Sequence, residues 1–420
     1  MPKVHFITQG CSANLADTEI MEGHVLQAGY FLTDKEEDAD IIVMNSCTVK
    51  GKTETYFRKK LKQLEQKNKK VILAGCIPQS EKRRSEWANH SMIGTYQVDK
   101  IAQVVNETLE GNLVSLLQRE NRPRLNLPKT RKNSVVEIVP ISQGCLSACS
   151  FCKTKLARGN LYSYRPEDIV RHISKAVEDG AKEIWLTSQD NGAYGRDIGT
   201  NMVELLRKIL TIPREFRVRF GMGNPDHMKD LADGIIEVFS HPKMYQFIHI
   251  PVQTGSNRVL EAMRRGYTVE DYRMLVKKLK EKLPNLTIST DLICGFPTET
   301  EEDFQETLSL VKDTKPDVIN ISRFWPREGT PAARMKQLPG AILKDRTRRL
   351  TELFREVALE NNQKWKGWKG KVLITEQGKH DVMLGRNYAY KQVVVPGFCE
   401  IGSTREVEIA DATALDLRCV

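Results

Sequence analysis

Nine cysteines are spread over 420 residues, and six of them form two groups of three. Cys145, Cys149 and Cys152 lie in QGCLSACSFCKTK (143–155) with a C-x3-C-x2-C spacing. A structural zinc site closes on four ligands, and a disulfide consumes cysteines in pairs. Three thiolates on one loop suit a [4Fe–4S] cluster in which one iron lacks a protein ligand; a zinc knuckle with a distant fourth ligand is the alternative. The other group, Cys11, Cys47 and Cys76, is dispersed, but each residue ends an apolar run that reads as a buried strand: KVHFITQGC, ADIIVMNSC and VILAGC. Open α/β sheets bind ligands beyond the carboxyl ends of their strands, so these three cysteines can converge there. Three thiolates again leave one iron open, able to hold a non-protein sulfur, which points to sulfur insertion. Three ordinary buried cysteines are the alternative. Cys294, Cys399 and Cys419 fit neither group and read as core or surface residues.

The elements that must position these residues follow from periodicity. Residues 1–118 alternate strand and helix, which predicts a parallel sheet covered by helices. RENRPRLNLPKTRK, within 119–134, has two prolines and many basic residues and reads as a basic linker or strap. Between 135 and 360 six strand candidates alternate with helical stretches: VVEIVPISQGC, EIWLTSQDN, RVRFGMGNP, QFIHIPVQTGS, TISTDLICGFP and VINISRFWP. Six βα units make a partial (β/α)6 TIM-type barrel, whose chemistry belongs at the strand carboxyl ends. The three-cysteine loop follows the first of these strands directly, and Pro166 suits the first turn of a helix. Residues 365–420 show short strands separated by turn residues, the pattern of a small all-β barrel. The fold class is α/β with this β-barrel appended.

There are 64 Lys and Arg against 54 Asp and Glu, a formal charge of +10 with pI near 9.0, which favours a polyanionic partner such as nucleic acid. No apolar run approaches the ~20 residues of a membrane span, and MPKVHFITQG reads as a strand rather than a secretory signal. A cytoplasmic protein, monomeric by default, is expected, and there cysteines argue for metal or redox chemistry over disulfides.

The C-x3-C-x2-C loop after the first strand of a partial barrel, with Phe151 just before the last cysteine, resembles the radical S-adenosylmethionine (SAM) superfamily. That resemblance implies that SAM fills the open iron through its amino and carboxylate groups. It is then split to methionine and a 5′-deoxyadenosyl radical that abstracts hydrogen from an unactivated C–H bond. It further implies SAM contacts from the other strand ends: Gln189 and Asn191, with Gly192 and Gly195, in TSQDNGAYG; Asn224 in GMGNP; Gln253 in PVQTGS; Asp291 and Gly295 in DLICGFPTET; and Arg323 in ISRFWPREGTP.

Over essentially the whole chain, the domain order and both cysteine triads resemble the methylthiotransferases, and the terminal barrel is similar to their RNA-binding TRAM module. TQGCSANLADTEIM, NSCTVK, LAGCIPQ, GCLSACSFCKTKLARGNLYSY, IWLTSQDNGAYGRDIGTN and HIPVQTGSNRVL resemble the archaeal and eukaryotic branch. That branch acts on tRNA bearing N6-threonylcarbamoyladenosine at position 37 and replaces the hydrogen on C2 by a methylthio group. The resemblance implies two [4Fe–4S] clusters and two SAM molecules. One SAM methylates a sulfur held at the Cys11, Cys47 and Cys76 cluster, and the other gives the radical at the Cys145, Cys149 and Cys152 cluster. The implied partners are the tRNA, an electron donor and a sulfur source. Thr187-Ser188-Gln189 departs from the glycine or acidic residue that many relatives carry, which leaves the exact SAM contacts open.

RNA contacts are expected from aromatic residues interleaved with positive charge in the terminal barrel. Trp365, Trp368, Tyr388 and Tyr390 stand among Lys364, Lys366, Lys369, Lys371, Arg386 and Lys391. Arg122, Arg124, Lys129, Arg131 and Lys132 of the strap offer further phosphate contacts. Rival readings are a ribosomal-protein methylthiotransferase, a non-catalytic RNA-binding iron–sulfur protein, and a radical SAM enzyme whose second cluster only relays electrons.

Overall fold

The computed structural model describes residues 1–49, 51–81 and 84–419, with Arg84 described by its backbone alone. Lys50, Lys82, Arg83 and Val420, which fall in the expected 1–118 and 365–420 units, lie outside the described residues.

The amino-terminal part is one parallel sheet. Strands β1 (Lys3–Thr8), β2 (Phe31–Leu32), β3 (Ile41–Ser46), β4 (Lys70–Gly75), β5 (Ser91–Ile93) and β6 (Ser115–Leu116) run in the order β2-β1-β3-β4-β5-β6. β3 is buried along its whole length: Ile41, Ile42, Val43 and Met44 are apolar towards both faces, and the polar Asn45 and Ser46 at its end are hydrogen-bonded. Ile41 and Val43 belong to the cluster that contains Ile20, Met21 and Val25 of helix Ser12–Gln27. Ile42 and Met44 belong to the one with Phe57, Leu61 and Leu64 of helix Gly51–Gln66. β1, β3 and β4 are direct neighbours, so their carboxyl ends lie side by side. The chain reverses its direction of growth between β1 and β3, the crevice where open sheets take ligands. β2, β5 and β6 have two or three residues each, too few to show a period in the sequence.

Residues 119–134 carry no helix or strand, yet they are firmly tied down. Arg124 is buried against Asp17 and Gln143. Lys129 bridges Glu19 and Glu137, Arg131 bonds Glu137 at 2.9 Å, and Lys132 pairs with Glu22. The backbone of Pro128 and Lys129 passes so close to Gly23 that a Cβ there would lie 2.3 Å from the Lys129 nitrogen. The expected phosphate contacts are therefore corrected: these cations are spent on carboxylates that lash helix Ser12–Gln27 to the central domain, while the exposed Arg122 faces Glu120 and Asp99.

The central domain has β7 (Val136–Pro140), β8 (Ser142–Gln143), β9 (Tyr162–Ser163), β10 (Glu183–Thr187), β11 (Arg217–Arg219), β12 (Phe247–His249), β13 (Thr287–Cys294) and β14 (Val318–Arg323). β11-β10-β7 and β12-β13-β14 are parallel sheets, and bridges at Val218–Met244 and Met222–His249 join them into one curved wall of six strands. Pro166 opens helix Pro166–Glu178. The short antiparallel pair β8 and β9 clamps both ends of the loop bearing Cys145, Cys149 and Cys152.

After helix Gly340–Gln363 come β15 (Lys369–Gln377), β16 (Val382–Arg386), β17 (Gln392–Pro396), β18 (Thr404–Ala412) and β19 (Leu417–Cys419), closed as β15-β16-β17-β19-β18. EVEIADATALDLRCV is two strands, not one, because Thr413 and Asp416 form a turn. This barrel is docked on the central domain. Tyr390 packs on Tyr245 and Phe247 at 4.8 and 5.0 Å, Asn285 donates to the Tyr388 hydroxyl at 2.8 Å, and Lys391 donates to Asp317 at 2.6 Å.

That docking corrects part of the expected RNA face. Lys391 is buried against Asp317 and Asn362. Trp368 and Tyr388 are half-buried and stack with the buried Trp365. Tyr390 is turned inwards, beneath Arg386. Lys366 and Lys369 are exposed but paired with Asp411 and Glu408, each at 2.9 Å. Lys371 is exposed and, among the described residues, has no carboxylate partner.

Candidate active site

Cys11 caps the helix that follows β1, Cys47 follows β3 at once, and Cys76 opens the helix after β4. Asn14 ties them together. Its Oδ1 takes contacts from the Cys11 and Cys76 sulfurs at 3.5 and 3.8 Å, and its Nδ2 donates to the Ser46 carbonyl at 2.9 Å. The neighbouring Cys47 holds Cys11 down to about 6, while Cys11 and burial push Cys47 up. Burial raises Cys76, and the opposing charge is Arg158 of the central domain. Arg158 is itself buried, bonded to Asp17 at 2.7 Å. The Val49 N–H points at the Cys47 sulfur at 3.4 Å.

The loop triad is held differently. The Arg265 Nη1 donates to the Cys149 sulfur at 3.0 Å, and its Nη2 donates to Asn224 Oδ1 at 2.7 Å. Asn224 donates onward to Ser147 and receives its backbone anchor from Asp190, which also holds His227 at 2.7 Å. Burial, then the Asp190 carboxylate, push Cys145 up to about 11; burial raises Cys149 and Arg265 opposes it. Phe151 lies edge-on to Phe296, and Phe296 to Phe324, so the loop rests on an aromatic stack.

The two triads face one junction. Ser12 bonds Thr187, Thr95 bonds the Ala157 carbonyl, and buried Lys153 pairs with buried Glu81. The segment after β14 reaches both triads. The Ala332 N–H donates to the carbonyl of Ser150, between Cys149 and Cys152, while Arg327 donates to the carbonyl of Val49, two residues after Cys47. Arg327 is 6% exposed; among the described residues its Nη1 makes no hydrogen bond but lies 3.8 Å from the Glu54 carboxylate, and Cys47 and Cys152 also act on its charge.

The residue chemistry fits iron–sulfur clusters. All nine cysteines are free thiols, N–H donors aim at sulfur in both triads, and such bonds tune cluster potential. Among the described residues no three His, Cys, Asp or Glu side chains converge on a single-ion site. A cubane needs thiolates on three different irons, so its ligands stand apart.

The expected SAM contacts separate into two sets. Asn191 is fully buried and bonded to Ser188 and the Leu186 carbonyl, Gly192 packs against His227 and Met228, and Gly295 lies under Leu343 with its N–H on Glu299. These three are engaged within the wall. Gln189 receives the Gly144 N–H at 2.7 Å and Asn224 holds Arg265, so both shape the cysteine loop. Asp291 joins His249 and Asn320, and Arg323 is exposed beside Thr347. Gln253 stands out: it is 8% exposed and has a left-handed φ of 72°, its backbone N–H donates to the Asp291 carbonyl at 2.8 Å, and no hydrogen bond of its side-chain amide appears among the described residues. A non-glycine residue held in that conformation is strained, and such strain persists only where its surroundings fix it. Asn14, Arg158, Arg265 and Arg327 escape sequence reading because no motif marks a lone polar residue as facing a sulfur.

A partial barrel with a three-cysteine loop at its carboxyl rim defines a radical SAM enzyme, and residues 139–311 match the family described as the radical SAM superfamily. Residues 3–93 match uncharacterized protein family UPF0004. The human threonylcarbamoyladenosine tRNA methylthiotransferase is 44% identical over 403 residues, 94% of this chain and 69% of that one. A probable enzyme of the same description from Pyrococcus abyssi is 41% identical over 99% of this chain and 98% of its own. Among solved structures, the radical SAM methyltransferase TsrM from Kitasatospora setae superposes with a TM-score of 0.56 at 13% identity, over 79% of this chain and 77% of that one; this likeness is one of fold. The chain belongs to the threonylcarbamoyladenosine tRNA methylthiotransferase family. As a radical SAM enzyme it uses [4Fe–4S] and SAM as cofactors. No helix among the described residues is long and apolar enough to cross a membrane.

Proposed function

We propose that this protein replaces the C2 hydrogen of N6-threonylcarbamoyladenosine-37 in tRNA by a methylthio group, using one cluster at each cysteine triad. The observation that carries this reading is the segment after β14, anchored to Val49 beside one triad and to Ser150 within the other. When bound, the clusters and SAM supply the radical chemistry and a methylated sulfur. The protein's share is to hold and aim. Cys145, Cys149 and Cys152 hold one cluster, with Arg265 on Cys149, and Cys11, Cys47 and Cys76 hold the other, with Asn14 and Arg158 behind them. The Gln253 side-chain amide, with Asp291 and Arg323 at neighbouring strand ends, would contact SAM when it is bound. Lys371 offers a phosphate contact on the barrel. The reaction is placed in the cytoplasm, with an electron donor and a sulfur source as further partners.

The test is mass spectrometry of tRNA nucleosides after anaerobic incubation of reconstituted protein with SAM, reductant and threonylcarbamoylated tRNA. A mass gain equal to exchanging one hydrogen for a methylthio group is expected. Deoxyadenosine release with unchanged tRNA would reject the substrate and turn attention to ribosomal proteins.

A further inference from the structure

The segment after β14 that links the two triads carries an aromatic residue of which more than half stays exposed. Trp325 is 54% exposed, although the residue before it, Phe324, is buried under the cysteine loop. Its ring lies over Gly51, where a Cβ would come within 2.6 Å of it. Val49, between Cys47 and Gly51, is 55% exposed. Gly51 opens a helix whose outer stripe, at i, i+4, i+7 and i+11, is Lys52, Tyr56, Lys59 and Gln63. All four are exposed, and among the described residues neither lysine pairs with a carboxylate. On the terminal barrel, by contrast, Lys366, Lys369 and Lys391 are already matched to acids, while Lys371 is exposed and, among the described residues, unpaired.

An exposed indole at the rim and unneutralised lysines alternating with an aromatic on the adjoining helix are what single-stranded RNA requires: a stacking platform and a charged track. We infer that Trp325 stacks a nucleobase of the tRNA anticodon loop at the mouth of the site, and that the Lys52, Tyr56 and Lys59 face carries the neighbouring phosphates. The inference rests on the tRNA reading proposed above and adds a binding face outside the terminal barrel.

The test measures tRNA binding to the reconstituted, cluster-loaded full chain, with iron per chain as the folding control. Trp325→Leu should weaken binding about tenfold, as expected for one lost base stack, and Trp325→Tyr should restore most of it. Gly51→Ala, which crowds the ring without removing it, should give an intermediate loss. Lys52→Gln with Lys59→Gln should lower the slope of log affinity against log salt by about 1.4, two single-strand phosphate contacts. Full affinity in Trp325→Leu with an unchanged salt slope in the lysine pair would overturn the inference and leave the proposed reaction standing; such a face would then serve a protein partner. Failure of the unaltered protein to bind tRNA at all would overturn both.

Discussion

At the scale of residues, two kinds of thiolate are distinguished by what stands behind them. Cys149 receives a guanidinium hydrogen bond from Arg265, whereas Cys11 and Cys76 share the Asn14 amide and the Arg158 charge. Cys149→Ala should abolish deoxyadenosine formation from SAM, measured by chromatography of the anaerobic reaction. Cys47→Ala should retain uncoupled SAM cleavage and lose methylthiolation; full modification by that variant would remove the second triad from the reaction. Arg265→Gln should cut SAM cleavage roughly tenfold, in the range found when a group behind a metal ligand is removed, with cysteine ligation itself preserved. The six cysteines were legible because their spacing and strand-end positions are properties of the chain. Arg265 was not: it lies in an ordinary basic stretch, MRRGY, and acquires its role only when the turn after helix Asn257–Ala262 brings it to Asn224.

At the scale of elements, periodicity foretold the long strands and missed the short ones, as β2, β5 and β6 illustrate. The strap shows a different limit. Its composition read as basic and available, but the partners that neutralise it, Asp17, Glu19, Glu22 and Glu137, are over a hundred residues away or hidden inside a strand. Glu137 is the strongest case. Burial alone would raise its carboxyl, but His172 and Lys129 outweigh that and hold it down to about 2. A depressed folded value stabilises the protein above the ordinary carboxylate range, and that stability drains away as pH falls from there towards about 2. Acid unfolding followed by circular dichroism should therefore be steeper in the unaltered protein than in Glu137→Gln. At neutral pH the variant should be less stable by roughly 3 kcal/mol, because Arg131 and His172 lose their shared buried carboxylate and Lys129 keeps only Glu19.

At the scale of the whole molecule, the three parts are less separable than their sequence boundaries suggest. The barrel at the carboxyl end supplies Tyr390 and Lys391 to cover Tyr245, Phe247 and Asp317 of the central wall. Removing everything from Trp365 onwards should thus do more than weaken tRNA binding: it should expose those aromatics and lower the thermal midpoint of the remaining chain. A truncated protein with an unchanged midpoint would show the barrel to be a detachable module. Tyr390 and Lys391 read as surface residues because an aromatic beside a lysine suits RNA and a domain seam equally well.

The segment after β14 touches Val49 on one side and Ser150 on the other. On the proposed reaction, the two halves of the chemistry are therefore neighbours joined by a few residues of backbone. A shift of that segment is then felt at both triads at once: the two sites share one mechanical support.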